Sequence, residues 1–570
     1  MDRLSAMGVD ENTLLLFFAL LIGSAVGIAV IAFFKLIDLV QLFSLTAVSR
    51  LTDIGSLAII LVVLGGLALT RAIVRYGTAD STGQNIPDVI RAVAKRGGVI
   101  HTPHVAVKTV ATALAIGTGG SVGPEGPVAV AGSALGSKIG RLFRSGPQRL
   151  RLLVSCGAAA GISAAFNAPI AGVFFSLEKV IGTFGVSAFP PILVASVIAA
   201  AISRSAFGES PVIFIPTEYS LGGPSELVMY AVLGIGCGLV SVAFIKFVYK
   251  TEDILQRVPR YWPRILIAAV LVGVLNVVFK EALWGRGHET LSIEIVTQRT
   301  GLFLLGLCVA KIIATGLTLS AVRAGGIFAP ALVVGATFGG GLASVAQTYL
   351  GLDIIPEAFA VVGMAGVVAA TTHAPLTAIM IVFEMTSDYA LILPLMLCGA
   401  IAYITARRLH PNSMYSEWLV RRGENIHAGR DTAILERLLV RDFLDDNPDI
   451  IGEDATVKQI MRAIGQSKQI EFPVLDADLK LAGMLTYADL RTVLTDTERY
   501  SDLVLAGDLA VQQFESVSPR DSLRAALQKL AVRGSHVIPV VGEADPKKLL
   551  GVIGRQEILA AYDRELLTQG

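Results

Sequence analysis

Between Thr109 and Gly136 the sequence holds a single ionisable side chain, Glu125, set in GPEGP from Gly123 to Pro127. A carboxylate in so apolar a stretch is costly and marks a functional position by default. The flanking glycines and prolines do not sit comfortably inside a helix, whereas Pro is well placed in a first helical turn, so the chain is expected to turn here and start a helix near Pro127. Unbonded N–H groups and the dipole at such a start favour an anion. GGIFAP, from Gly325 to Pro330, repeats the glycine-rich approach to a helix start, with Phe328 standing where Glu125 stands. Two such starts could converge on one anion. The bland alternatives are a surface-loop carboxylate and an ordinary tight turn between spans; the recurrence of the motif favours the anion site.

The elements that position these motifs follow from composition. The 570 residues are 53% apolar and 16% charged, with mean hydropathy +0.66, whereas soluble domains carry about 25% charged residues. The chain is therefore not mainly a soluble protein. Its 57 glycines exceed the usual frequency of about 7%, which in so apolar a chain points to closely packed or interrupted membrane helices. A net charge of +1 supplies no field for nucleic acid, and no nucleic-acid partner is expected. Cys156, Cys237, Cys308 and Cys398 are far apart in apolar segments and read as small buried residues. No metal motif appears among the histidines. GGSVG from Gly119 to Gly123 fits a hydrolase nucleophile elbow in letters only, because the preceding strand and the His and acidic partners are missing. An enzyme is not expected.

Apolar segments succeed one another from residue 13 to about 410, the cleanest near 13–35 and 55–74, each long enough for the ~20 residues of a bilayer-spanning helix. The first follows Asp10 and Glu11 and is too long for a signal-peptide core, so it is expected to be retained. Glycine and proline cut the segments Gly132–Gly140, Ala158–Leu177 and Gly325–Gly341, predicting tilted, re-entrant or broken helices. Such backbone is tolerated at membrane depth only within protein or beside a watery cavity, which suggests a transport path. An offset of 203 carries Lys108 to Lys311, Thr112 to Thr315, Gly123 to Gly326, Pro127 to Pro330 and Gly132 to Gly335; an offset of 206 carries Gly157 to Gly363, Pro169 to Pro375 and Glu178 to Glu384. The membrane part is a duplication, and transporters made of two related halves bind substrate where the halves meet.

After about residue 423 the character changes. Residues 431–450 hold eight charged side chains in twenty, against three in thirty over 151–180, so the tail is a soluble domain. Arg407, Arg408, Arg421 and Arg422 follow the last apolar segment, which favours the cytoplasmic side. The tail is duplicated as well: Pro473 and Gly483 recur as Pro539 and Gly551, and each unit reads as helix, strand, strand, helix, with strands at Glu471–Leu475 and Val537–Val541.

On GPEGP, GIFAP from Gly326 to Pro330, GQNIP from Gly83 to Pro87 and the tyrosine of SMYSEWLVRRG, Tyr415, the chain resembles the CLC family of chloride channels and proton-coupled chloride exchangers, followed by a pair of CBS domains. The resemblance covers nearly everything from residue 13 to about 565. It implies an all-α polytopic membrane domain of two inverted repeats, residues 1–422 with halves at about 13–205 and 225–410, plus an α/β cytoplasmic CBS pair in 423–570, at about 439–497 and 505–565. It further implies a homodimer with one pore per subunit, embedded in the plasma membrane, the inner membrane of a bacterium. Glu125 should be the gate, with Gln84, Gly123, Gly126, Gly326, Ile327, Phe328 and Tyr415 around the anion. Chloride and other small anions are the implied ligands, with no cofactor required for transport. ATP or another adenine nucleotide is implied at the first CBS unit through Thr486 and Asp489, although that spacing is also good helix-capping chemistry.

Three positions depart from the family pattern. Gln84 stands for the usual serine, and its larger amide bears on anion size preference. Pro124 replaces a common arginine and removes an N–H beside the gate. Lys179, directly after Glu178, stands where proton-coupled members carry an inner glutamate, and as a cation it would attract chloride at the inner entrance or simply snorkel at a span end. The expected activity is glutamate-gated chloride transport, channel-like or weakly proton-linked. A stoichiometric H+/Cl− antiporter is the second reading, and a nucleotide sensor with a vestigial membrane anchor is a third of another class.

Overall fold

The computed structural model describes residues 11–51, 54–78, 86–208, 219, 223–258, 260–279, 283–284, 299–424, 435, 438–467, 469–486, 489–490, 504–512, 514–533, 535–543 and 545–569. The chain divides into two compact units, Met1–Glu424 and Asn425–Gly570. Among the described residues of the first unit, eight helices are long and apolar enough to cross a membrane.

The first unit begins with α1 (Glu11–Arg50), α2 (Ser56–Gly77) and α3 (Ile86–Lys95). The duplicated series follows as α4 (Thr102–Gly117), α5 (Glu125–Leu142), α6 (Pro147–Phe166), α7 (Pro169–Phe175) and α8 (Phe189–Phe207). After α9 (Pro224–Gln256) and α10 (Tyr261–Val278), it recurs as α11 (Gly301–Val322), α12 (Phe328–Leu350), α13 (Pro356–Thr372), α14 (Pro375–Thr386) and α15 (Ile392–Leu409), and α16 (Met414–Val420) ends the unit. The helix starts Glu125 and Phe328 are 203 apart, and Pro169 and Pro375 are 206 apart, as the sequence offsets require.

Of the tilted, re-entrant or broken helices expected at Gly132–Gly140 and Gly325–Gly341, the chain turns at Gly325, between α11 and α12, and no break falls inside α5 or α12. Both helices run through their glycines, which instead bring backbones together. A Cβ on Gly132 would lie 2.1 Å from the Gly157 carbonyl oxygen, and one on Gly335 would lie 2.3 Å from that of Gly363. Close backbone approach is how helices associate where lipid offers no hydrophobic driving force. The expected break over Ala158–Leu177 does occur: α6 ends at Asn167 in the left-handed conformation, α7 starts at Pro169, and a π-helical turn follows at Ser176–Ile181. All four cysteines are free and buried.

The halves are joined by reciprocal contacts. Gly123 N–H donates to the Gly326 carbonyl at 2.9 Å, and Gly326 N–H donates to that of Gly123 at 2.8 Å. The Glu178 carboxylate accepts from the Thr377 N–H and hydroxyl at 3.0 and 2.7 Å, while Glu384 accepts from the N–H groups of Ile170 and Ala171 at 2.9 and 2.7 Å. Each half thus caps a helix start of the other. Contacts that swap partners in this way are those a local two-fold axis makes.

In the second unit β1 (Ile451–Gly452), α17 (Val457–Gln466), β2 (Glu471–Leu475), β3 (Leu481–Thr486) and α18 (Ala506–Leu509) precede α19 (Leu523–Arg533), β4 (Val537–Val541), β5 (Leu549–Gly554) and α20 (Arg555–Gln569). β2 lies between β1, parallel to it, and the antiparallel β3, while β4 and β5 pair antiparallel. Each hairpin carries a register shift, at Val474/Leu475 and at Val540/Val541, 66 residues apart. Phe472, Val474 and Leu485 fill one small core; Ile538, Val540 and Ile553 fill the other. The helix expected to close the first unit falls largely on 491–503, outside the described residues.

Removing a helix cap costs about 0.5–2 kcal/mol. Glu384→Ala and Glu178→Ala should therefore lower thermal stability in detergent by similar amounts, because they remove related contacts. A melting temperature unchanged in both would show that the crossed caps carry no stability.

Candidate functional site

Each signature is placed by a local feature of the chain. Reciprocal Gly123–Gly326 bonding brings the starts of α5 and α12 together in the interior of the first unit. Glu125 is the first residue of α5 and is fully buried. Its Oε1 accepts the backbone N–H of Phe328, the first residue of α12. Its Oε2 is buried without a hydrogen-bond partner. The carboxylate thus lies at the other half's helix start, where an anion is favoured. The helix begins at Glu125, two residues before the expected start at Pro127, with Pro124 as its N-cap.

Room for the carboxylate comes from glycine. A Cβ on Gly123 would lie 1.9 Å from Glu125 Oε2, and one on Gly326 would lie 2.0 Å from Oε1. Gly126 faces Gly326 closely enough that an added Cβ would lie 3.2 Å from the Gly326 Cα. The Phe328 ring packs on Phe166, centroids 5.5 Å apart, at the end of α6.

Tyr415 is positioned by capping. Ser413 accepts the Ser416 N–H at 3.2 Å and Ser416 Oγ accepts the Ser413 N–H at 2.8 Å, which starts α16 and sets Tyr415 in its first turn. The Tyr249 hydroxyl donates to the Met414 carbonyl and ties this turn to α9. The Tyr415 hydroxyl is itself buried without a hydrogen-bond partner. Tyr415 lines a cavity of about 100 Å³ whose wall also includes Gly126, Gly326, Ile327, Pro87 and Arg323. Parts of GPEGP, GIFAP and the tyrosine motif thus meet at one cavity, together with the proline of GQNIP. An orphaned phenol O–H beside a helix start is a donor set suited to a small anion. Gln84 lies outside the described residues.

Other expected residues lie elsewhere. Glu178 does not line this cavity; its carboxylate caps α14, and Lys179 follows it, half-buried, in the π-helical turn. Ser121 of the supposed elbow exchanges a hydroxyl hydrogen bond with Thr315 at 2.9 Å, and its N–H donates to the Thr318 hydroxyl. In the second unit the Thr486 hydroxyl donates to Asp489 Oδ2 at 2.6 Å and the Thr486 N–H donates to the same oxygen at 2.8 Å. That is capping geometry. The sequence reading did not assign a role to Lys108, which is buried, although its recurrence as buried Lys311 at the repeat offset was a signal.

The family model for the voltage gated chloride channel matches residues 65–407, and the CBS domain model matches 440–496 and 506–564. The chain is 31% identical over 423 residues to the H(+)/Cl(-) exchange transporter ClcA of Salmonella paratyphi A, covering 71% of this chain and 88% of that one. It is 28% identical over 574 residues to the chloride channel protein CLC-f of Arabidopsis thaliana, covering 87% and 72%. A slow cyanobacterial Cl−/H+ antiporter superposes with a TM-score of 0.65 at 26% identity, covering 73% of this chain and 98% of that one. A eukaryotic CLC transporter, at 19% identity and a TM-score of 0.63, shares the fold over 95% of this chain and 97% of its own.

The glycine contacts yield a test. Gly123→Ala should push the Glu125 carboxylate off the α12 start, because the atom in the way is the end of a flexible side chain. Gly326→Ala should do more damage, since its Cβ would also meet the Gly126 backbone nitrogen at 2.8 Å. Gly185→Ala, in open space, should leave expression and anion flux unchanged. Equal behaviour of Gly123→Ala and Gly185→Ala in a reconstituted flux assay would remove the steric account.

Proposed function

Because the chain belongs to the voltage-gated chloride channel family and carries two CBS domains, we propose that it moves chloride across a membrane by a path that Glu125 gates. The observation that carries this reading is the hydrogen bond from the Phe328 N–H to the Glu125 carboxylate. That carboxylate occupies the place an anion would take, so the two exclude each other. Protonation removes the charge, weakens the bond to the helix start and frees the position for chloride. Gly123, Gly126, Gly326, Ile327 and the hydroxyl of Tyr415 would hold the ion on its way, and Gln84 is assigned to the same path from its place in GQNIP. Binding rests mainly on dipoles and a hydroxyl, because the guanidinium that lines the cavity, Arg323, lies 4.0 Å from the Glu252 carboxylate, and this leaves the ion able to depart.

Weakly proton-linked conduction is the first reading. Lys179 stands at the position of the family's inner glutamate, and Glu178 beside it caps α14. Strict H+/Cl− exchange is the second reading, favoured by the similarity to relatives named as exchangers. In the same proposal the second unit is cytoplasmic, as the arginines after the last span favour, and the protein is a homodimer with one pore per subunit in the plasma membrane. No catalytic residue is assigned. An adenine nucleotide at the first CBS domain would have to open the bond between Thr486 and Asp489.

Acidification should raise chloride flux from proteoliposomes, because the protonated form of Glu125 is the open one, and Glu125→Gln should give high flux with a flat pH profile. A variant that keeps the wild-type profile removes Glu125 as the gate. Uphill proton movement driven by a chloride gradient would select exchange over conduction. Absence of anion flux together with thermal stabilisation by ATP would select the nucleotide-sensor reading.

A further inference from the structure

A cavity of about 230 Å³ lies between α3 and the start of α4, lined by Arg91, Arg96, His101 and His104, with Asp88 the one carboxylate among its lining residues. Arg91 is held by Asp88 at 3.2 Å and by Glu424 at 3.1 Å. Arg96 and His101 are exposed at the rim. The 16-residue α4 begins here, with His101 at its N-cap and no side chain capping its first N–H groups. The wall thus combines cationic side chains with the positive end of a helix, and its chemistry suits a small inorganic anion.

A second, smaller space shares part of its wall. Val105 and Val130 line the first cavity and also line this neck of about 10 Å³, whose wall includes Lys108, Thr109 and Gly325. Gly325 also lines the cavity at Tyr415, and the Glu125 carboxylate lies against Gly326 of that same wall. The first two spaces thus share Val105 and Val130, and the second and third share Gly325. At that volume the neck has room for about one water, with Val105 and Val130 among the side chains that narrow it.

We propose that the cavity at the start of α4 is an anion antechamber, which holds chloride or another small inorganic anion and feeds the Glu125 path through the neck at Lys108. Arg96 acts there as an electrostatic attractor, His104 lines the wall, and Val105 and Val130 set the rate of passage. The proposal rests on the reading of the Glu125 cavity as the chloride path.

The test uses the full-length protein in liposomes, with chloride efflux measured at low and high salt. Val105→Ala should speed efflux and Val105→Phe should slow it. His104→Cys provides a second test that does not depend on refolding a bulky variant, since the four native cysteines are buried. Labelled after reconstitution, a sulfonate-bearing thiol reagent should lower efflux and a trimethylammonium-bearing one should raise it, each by about two- to threefold at low salt. Both effects should fade at high salt, where the fields of exposed charges are screened. Equal effects of the two labels, or wild-type efflux in both Val105 variants, would overturn the antechamber. Glu125→Gln in the same assay keeps the two readings apart: a wild-type pH profile in that variant overturns the gate alone, and a protein without chloride efflux overturns both.

Discussion

Helix starts buried in an apolar unit must have their N–H groups answered by something, and the membrane unit of this protein answers several of them with carboxylates from its other half. Where such a start is fully buried, as at α12, unsatisfied backbone groups cost several kcal/mol each, whereas the starts of α7 and α14 are partly exposed at Ile170 and Leu376. Glu178 answers α14, Glu384 answers α7, and Glu125 answers α12. The first two come from equivalent positions, 206 residues apart, and lock the halves to each other. Glu125 has no such counterpart. Phe328 stands at its equivalent position, so one crossed contact lacks its mate, and a single carboxylate sits where the two halves meet.

That asymmetry separates a structural cap from a gate. A cap that nothing replaces holds the fold, whereas a cap that a diffusible anion can replace becomes a switch. Gly123 and Gly326 make replacement sterically cheap, because on those two sides the Glu125 carboxylate meets backbone without a Cβ. The orphaned oxygen of Glu125 and the orphaned hydroxyl of Tyr415 are consistent with a place built to exchange partners. The unreplaced bonds between Gly123 and Gly326 keep the two helix starts in register while it does so.

The soluble unit follows the same economy of capping. Thr486 and Asp489 bond each other at the end of β3, and the buried Glu471 at the head of β2 accepts the N–H groups of His536 and Val537 at the head of β4. A carboxylate again joins two halves of a duplication, here between CBS domains. Polar side chains that read as ligand groups in isolation can thus already be engaged with backbone in the fold.

By itself the sequence determined the class of the protein, both duplications, the two helix starts and the identity of Glu125. These are legible because offsets of 203, 206 and 66 are arithmetic, and because a lone charge in an apolar stretch needs no neighbour to be conspicuous. Tertiary structure alone decided what each polar group meets. It gave Glu178 and Glu384 to opposite helix starts, turned the glycines of α5 and α12 into helix contacts, and set Arg96 and His104 on one cavity and Lys108 on a second that shares Val105 and Val130 with it. The physical reason is that periodicity and spacing record which face a residue occupies, while hydrogen-bond partners and shared walls arise between segments some two hundred residues apart in the chain.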